Sequence, residues 1–167
     1  MSWVTFENLY FLFLVAVTLH NFEEAVWLPD WSQQAGRWHR PVEKVPFRFA
    51  VLVLTLLAYV FAYLGLMGGK QSVGLYLLAG YAFVMLGNVF FPHLLAAIWL
   101  NQYVPGLGTA LALNLPVCSA FLFVILREDY VSPWPLLITG CIFAGGALIL
   151  IRVLLKLWER VEEKYWN

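Results

Sequence analysis

The chain has 167 residues and a formal net charge of zero; 62% of it is hydrophobic and only 12% charged. Soluble domains carry roughly 25% charged residues, and a fold of this length cannot hide so much apolar surface from water. The composition therefore argues against a soluble domain. Neutrality argues against an electrostatic nucleic-acid binder, so a lipid bilayer is the expected partner and no nucleic acid is.

A helix needs about 20 mostly apolar residues to cross the hydrocarbon core, and five runs meet that need. The first covers about residues 6–27 and ends in LeuHisAsnPheGluGluAlaValTrp, with Pro29 expected to stop the helix soon after. A long connector holding Trp31, Arg37, Trp38, His39 and Arg40 leads to the second run, about 47–67. Gly68-Gly69-Lys70 turns the chain into the third run, about 74–100, which contains AsnValPhePheProHis. Val104-Pro105-Gly106 precedes the fourth, about 107–126, where Pro116 follows Asn114 closely. Ser132-Pro133-Trp134-Pro135 introduces the fifth, about 136–155.

None of these runs alternates in polarity as barrel strands do. The expected fold is an all-α polytopic transmembrane helical bundle, a single integral-membrane domain over residues 1–167. Leu154, Leu157, Trp158, Val161 and Tyr165 share one face of the tail, so an amphipathic cytoplasmic C-terminal tail is expected. No cleavable leader is expected, because the first run lacks a basic start and a small-residue cleavage site. Cys118 and Cys141 read as small buried residues without a disulfide, and Gly80, Gly87 and Gly140 with Ala144 suit close helix packing.

Five spans place the termini on opposite sides. Arg37, Arg40, Lys44, Arg48, Arg152, Lys156, Arg160 and Lys164 fall on one side, and Lys70 and Arg127 on the other. The positive-inside rule then puts the N-terminus outside and the C-terminus in the cytoplasm, in the inner membrane of a prokaryote. Glu7 is expected at the outer interface, and His39 solvated in its loop.

In this topology His20 lies about two turns inside the cytoplasmic end of the first span, with Glu23 and Glu24 three and four residues further along it. His93 and Asn114 lie at comparable depth on the third and fourth spans, with Asn88 about 7 Å deeper. Pro92 frees the carbonyl of Asn88 and bends the third helix. Acidic groups within membrane helices cost about 2.5–3.5 kcal/mol at the centre, and they usually face the bundle interior. The bland alternatives are an interfacial glutamate pair reaching water, packed histidines, and asparagines joining helices.

His20-x-x-Glu23-Glu24 in the first run resembles the HXXEE-motif family of small integral membrane proteins. The resemblance implies a multi-helix membrane protein of about this length and carries no activity with it.

The residues themselves suggest chemistry. His20, Glu23, Glu24 and His93 are candidate catalytic groups and candidate ligands of a divalent metal such as zinc, iron or manganese. The metal would activate water, with one glutamate as base and Asn88 or Asn114 binding substrate or an oxyanion. A metal-free variant pairs the carboxylates for acid–base work. Either route suits hydrolysis or isomerisation of a lipid-like apolar substrate. The alternatives are a proton- or metal-ion-coupled transporter, which a homodimer could assist, and a structural or regulatory subunit whose polar cluster only fixes packing.

Overall fold

The computed structural model describes residues 4–36 and 39–165, without the side chains of residues 163–165. Arg37 and Trp38 of the first connector, and the side chains of Lys164 and Tyr165, lie outside the described residues. Among the described residues, five helices are long and apolar enough to cross a membrane: α1 Phe6–Ser32, α2 Lys44–Gly68, α3 Val73–Leu100, α4 Leu107–Arg127 and α5, which starts at Pro133. They alternate in direction, so the first and third connectors share one end of the bundle with the tail.

The core lies between α1, α2, α3 and α4. Phe13 and Phe121 stack at 5.5 Å, with Leu75, Leu78 and Ile125 fully buried around them. The end opposite the tail is tied by polar contacts between connectors. The amide of Gln71 donates to the Tyr130 carbonyl at 2.8 Å, and Lys70 Nζ donates to the Glu128 carbonyl at 2.6 Å. Phe6 stacks on Tyr130 at 3.9 Å, bringing the start of α1 to the same end. Glu7 is exposed there.

Helix α5 packs on α3 and α2 from outside. A Cβ at Gly80 would stand 3.0 Å from the Phe143 ring, and one at Gly140 2.5 Å from Phe83, so both glycines permit the close approach their sequence positions suggest. Gly87 faces open space and Ala144 is exposed, so neither takes the packing role expected of it. Cys118 is buried, but Cys141 is exposed, because it lies on the outward face of α5. The helix continues through Tyr165 for 33 residues, about 50 Å at 1.5 Å per residue. The tail is thus an unbroken extension of α5. Leu154 is buried and Trp158 meets Phe49 at 5.5 Å, whereas Leu157 and Val161 are exposed.

Candidate functional site

Helix α1 runs five residues beyond the expected end and carries Pro29 in its interior. A proline cannot bond the carbonyl four residues back, which here belongs to Ala25. The guanidinium Nε of Arg48, from α2, donates to that carbonyl at 3.0 Å and replaces the missing N–H. His20, Glu23 and Glu24 lie upstream of Pro29 within the same helix.

Helix α3 breaks where the sequence predicts. Pro92 has no N–H for the Asn88 carbonyl, and the backbone at Phe91 is extended (φ −133°, ψ 119°) within a wide turn from Val89 to Leu94. His93 follows the break and is buried. The loop after α3 then passes over it. Gly106 has φ +91°, and a Cβ there would collide with the His93 ring, so glycine is needed both for conformation and for clearance.

His20, Glu24 and His93 converge. Their ligand atoms, one from each side chain, lie within 4.8 Å of one another. Glu24 Oε1 is 3.1 Å from His93 Nε2 and 3.7 Å from His20 Nε2. Both histidine side chains are 1% exposed and that of Glu24 is 18% exposed, so Glu24 forms the edge of the cluster nearest the surface. Asn88 Nδ2 lies 3.3 Å from His20 Nε2 and 3.1 Å from His93 Nε2. The amide can donate one hydrogen to each ring only if both Nε2 atoms carry lone pairs.

Those lone pairs set the electrostatics. His93 Nε2 cannot accept from Asn88 and also donate to Glu24. With the Asn88 amide donating to both rings, two imidazole lone pairs and a carboxylate oxygen point at one small region, an arrangement that a cation satisfies. Tetrahedral zinc with ligands at about 2.0–2.1 Å separates neighbouring donor atoms by about 3.3 Å, between the two spacings observed to Glu24.

Glu23 is placed elsewhere. Its Oε1 accepts from the Gly106 amide at 2.8 Å and from the Tyr103 hydroxyl. Its Oε2 accepts from the Thr109 amide at 3.0 Å and the Thr109 hydroxyl at 2.6 Å. The first amides of a helix have no partner within it and carry positive partial charge. Glu23 supplies the missing acceptor at the start of α4 and staples α1 to it. The sequence grouped Glu23 with the ligands; the cluster that converges contains Glu24 and not Glu23, because all four donors to Glu23 come from the loop and first turn of α4.

Asn114 is fully buried at the end of a wide turn spanning Ala110–Asn114. Neither its Oδ1 nor its Nδ2 has a hydrogen-bond partner, and His93 Nδ1 likewise has none. Asn114 therefore shares the depth expected of it but makes no bond to the cluster. His39 is half-buried rather than fully solvated, with Nδ1 2.6 Å from the Arg40 carbonyl and the Trp31 ring beside it.

Thr109, Tyr103 and Gly106 were not among the candidates read from the sequence. A signal existed: GlyLeuGlyThr opens an apolar helix at the depth of two glutamates, and its bare amides require an acceptor. Burial and the bond to Glu23 hold the Tyr103 phenol above its ordinary pKa, so it remains a donor at neutral pH.

The fold and site define a class: a five-helix apolar bundle with a buried His/Glu/His cluster near one end. The chain belongs to the family described as proteins of unknown function with an HXXEE motif, whose model matches residues 11–121. His20, Glu23, Glu24, Asn88, His93, Thr109 and Asn114 all fall inside that stretch, and α5 lies beyond it. The chain is also similar to the uncharacterized protein YrkK of Bacillus subtilis (strain 168), with 39% identity over 150 residues, 89% of this chain and 94% of YrkK. No solved structure matches it.

Proposed function

We propose that the protein is an integral membrane enzyme in which His20, Glu24 and His93 hold a divalent metal near the cytoplasmic side and use it to hydrolyse a lipid-like apolar substrate. The observation that carries this reading is the convergence of two imidazole nitrogens and one carboxylate oxygen within 4.8 Å in a buried place. Membrane insertion is supported by apolar residues exposed on every long helix, including Phe11, Leu52, Ile98, Phe123 and Ile142. The distribution of lysine and arginine supports an outside N-terminus and a cytoplasmic C-terminus.

Two histidines and a glutamate form a ligand set used by catalytic zinc, and three protein ligands leave a position for water. Iron and manganese suit the same set less specifically. A bound metal of this kind brings water to a pKa of about 7. Glu24 meets both histidines through Oε1, leaving its second oxygen to accept a proton. Glu23 is committed to α4, which removes the support for paired-carboxylate chemistry. The unpartnered amide of buried Asn114 is the group available to bind a polar atom of the substrate. An apolar groove lined by Trp27, Trp31, Tyr103 and Pro105 opens at this end and suits a lipid-like chain.

Transport fits less well. The bundle beyond the cluster is filled by Phe13, Val17, Leu78 and Phe121, and the far connectors are tied together, which argues against a path through the bundle. The test is metal content of protein purified without chelator, wild type beside His20→Ala and Glu24→Gln, followed by comparison of membrane lipids from cells making each form. Near-stoichiometric metal lost in both variants, with a lipid product made only by the wild type, is expected. Absence of metal from the wild type would overturn the metal reading. A metal-loaded protein that moves ions across sealed vesicles and changes no lipid would overturn the enzyme.

A further inference from the structure

We propose that Thr109 is a positioning residue that fixes the tautomer of His20, so that the first glutamate of the His-x-x-Glu-Glu motif orients the histidine while the second joins it as a ligand. The argument is a count of protons. The Thr109 hydroxyl has one hydrogen and three neighbours that could accept it: Glu23 Oε2 at 2.6 Å, the Gly106 carbonyl at 3.3 Å and an unprotonated His20 Nδ1 at 3.1 Å. The charged and nearer oxygen takes it. With its hydrogen on the Glu23 carboxylate, Thr109 Oγ1 presents only lone pairs to His20 Nδ1, which stands 3.1 Å away. Nδ1 must therefore carry the imidazole hydrogen and donate it.

The consequence appears on the other side of the ring. With its hydrogen on Nδ1, neutral His20 has its lone pair on Nε2, the atom facing Glu24 and Asn88. The 3.3 Å approach of Asn88 Nδ2 to that nitrogen agrees with the same tautomer, since an N–H donor requires a lone pair there. Metal-bound histidines commonly have their second nitrogen held by an outer acceptor, often a carboxylate. Here the carboxylate is Glu23, and a threonine hydroxyl stands between it and the ring. His20 and Glu23 are one helical turn apart on α1, so the relay needs α4 to supply its middle member. This deepens the metal reading and rests on it for affinity, but not for the tautomer.

The experiment uses full-length protein in detergent with 15N-labelled histidine and no added metal. Variants with His39→Gln and His93→Gln assign the ring nitrogens of His20 by subtraction. Wild type and Thr109→Ser are expected to show hydrogen on Nδ1 of His20, and Thr109→Val a mixture of both tautomers. In zinc titrations, Thr109→Val is expected to bind about 10–100-fold more weakly than wild type, with Thr109→Ser near wild type. Hydrogen on Nε2 of His20 in the wild type overturns the proposal. So does a Thr109→Val protein with unchanged tautomer and affinity, or a Thr109→Ser protein that behaves like it. The wild-type spectrum decides the tautomer even if Thr109→Val does not fold. A wild type that binds no zinc yet holds hydrogen on Nδ1 would sink the metal reading and leave the relay standing.

Discussion

Glu23 and Glu24 are neighbours in the chain and face different helices. Glu23 accepts from the amides of Gly106 and Thr109 at the start of α4, and Glu24 meets His93 of α3 at 3.1 Å. Adjacent positions on a helix point about 100° apart, so one pair of like residues can serve a fold and a site at once.

That division predicts opposite phenotypes for two equivalent substitutions. Glu23→Gln places an NH2 group among donors and removes the charge that α4 requires. It is expected to lower stability by about 1–3 kcal/mol, the scale of leaving buried polar groups unsatisfied. Glu24→Gln is expected to leave the melting temperature within a few degrees of wild type and to abolish metal binding. Thermal unfolding in detergent, read beside metal content, separates the two. Equal destabilisation by both would contradict the assignment.

Gly106 supports a second prediction. Its φ of +91° and the His93 ring beside it both exclude a side chain. Gly106→Ala is expected to cost about 1–3 kcal/mol of backbone strain and to displace His93, weakening zinc binding at least tenfold. Gly36 also has positive φ, +59°, but nothing near its missing Cβ. Gly36→Ala should therefore carry the strain without the loss of zinc. Calorimetric zinc titration of both variants tests whether the collision with His93 is what matters.

The five helices were legible in the sequence because apolar length alone identifies them. The convergence of His20, Glu24 and His93 was legible as a match in depth, since the rise per residue is fixed. Which faces met was not. That Glu24 rather than Glu23 joins the histidines depends on the rotation of α1 against α3 and α4, which no spacing within α1 encodes. The donor to the Ala25 carbonyl that Pro29 leaves unserved comes from Arg48, 19 positions after the proline and on another helix. Thr109 was hidden for the same reason: its role arises only where two helices touch. Asn114 was found by its polarity in an apolar run, but its unpartnered amide is a property of the packed bundle.

The Arg48–Pro29 pairing predicts an interaction that a double-mutant cycle can measure. Arg48→Met removes the donor to the Ala25 carbonyl and is expected to cost about 0.5–1.5 kcal/mol, an ordinary net hydrogen bond. In a Pro29→Ala background the restored N–H serves that carbonyl, so the same substitution should cost less. A coupling of about 0.5 kcal/mol or more, read from unfolding in detergent, supports the substitution of one donor for another. Strict additivity would show that Arg48 acts through its charge alone.

Asn88 bears on how the cluster receives a cation. Its amide nitrogen stands against both imidazoles, at 3.3 and 3.1 Å, and a metal bound there competes with it for the same lone pairs. Asn88→Asp exchanges that competing donor for a second carboxylate in nearly the same volume. Without metal, three lone-pair-bearing groups and a new charge then crowd one buried region, and stability should fall by at least about 1 kcal/mol. With zinc, the added carboxylate should tighten binding at least tenfold, about 1.4 kcal/mol. The zinc-dependent rise in melting temperature should therefore be larger in Asn88→Asp than in wild type. If Asn88→Asp instead lowered zinc affinity, Asn88 would be holding the ligands in place rather than standing where the metal goes.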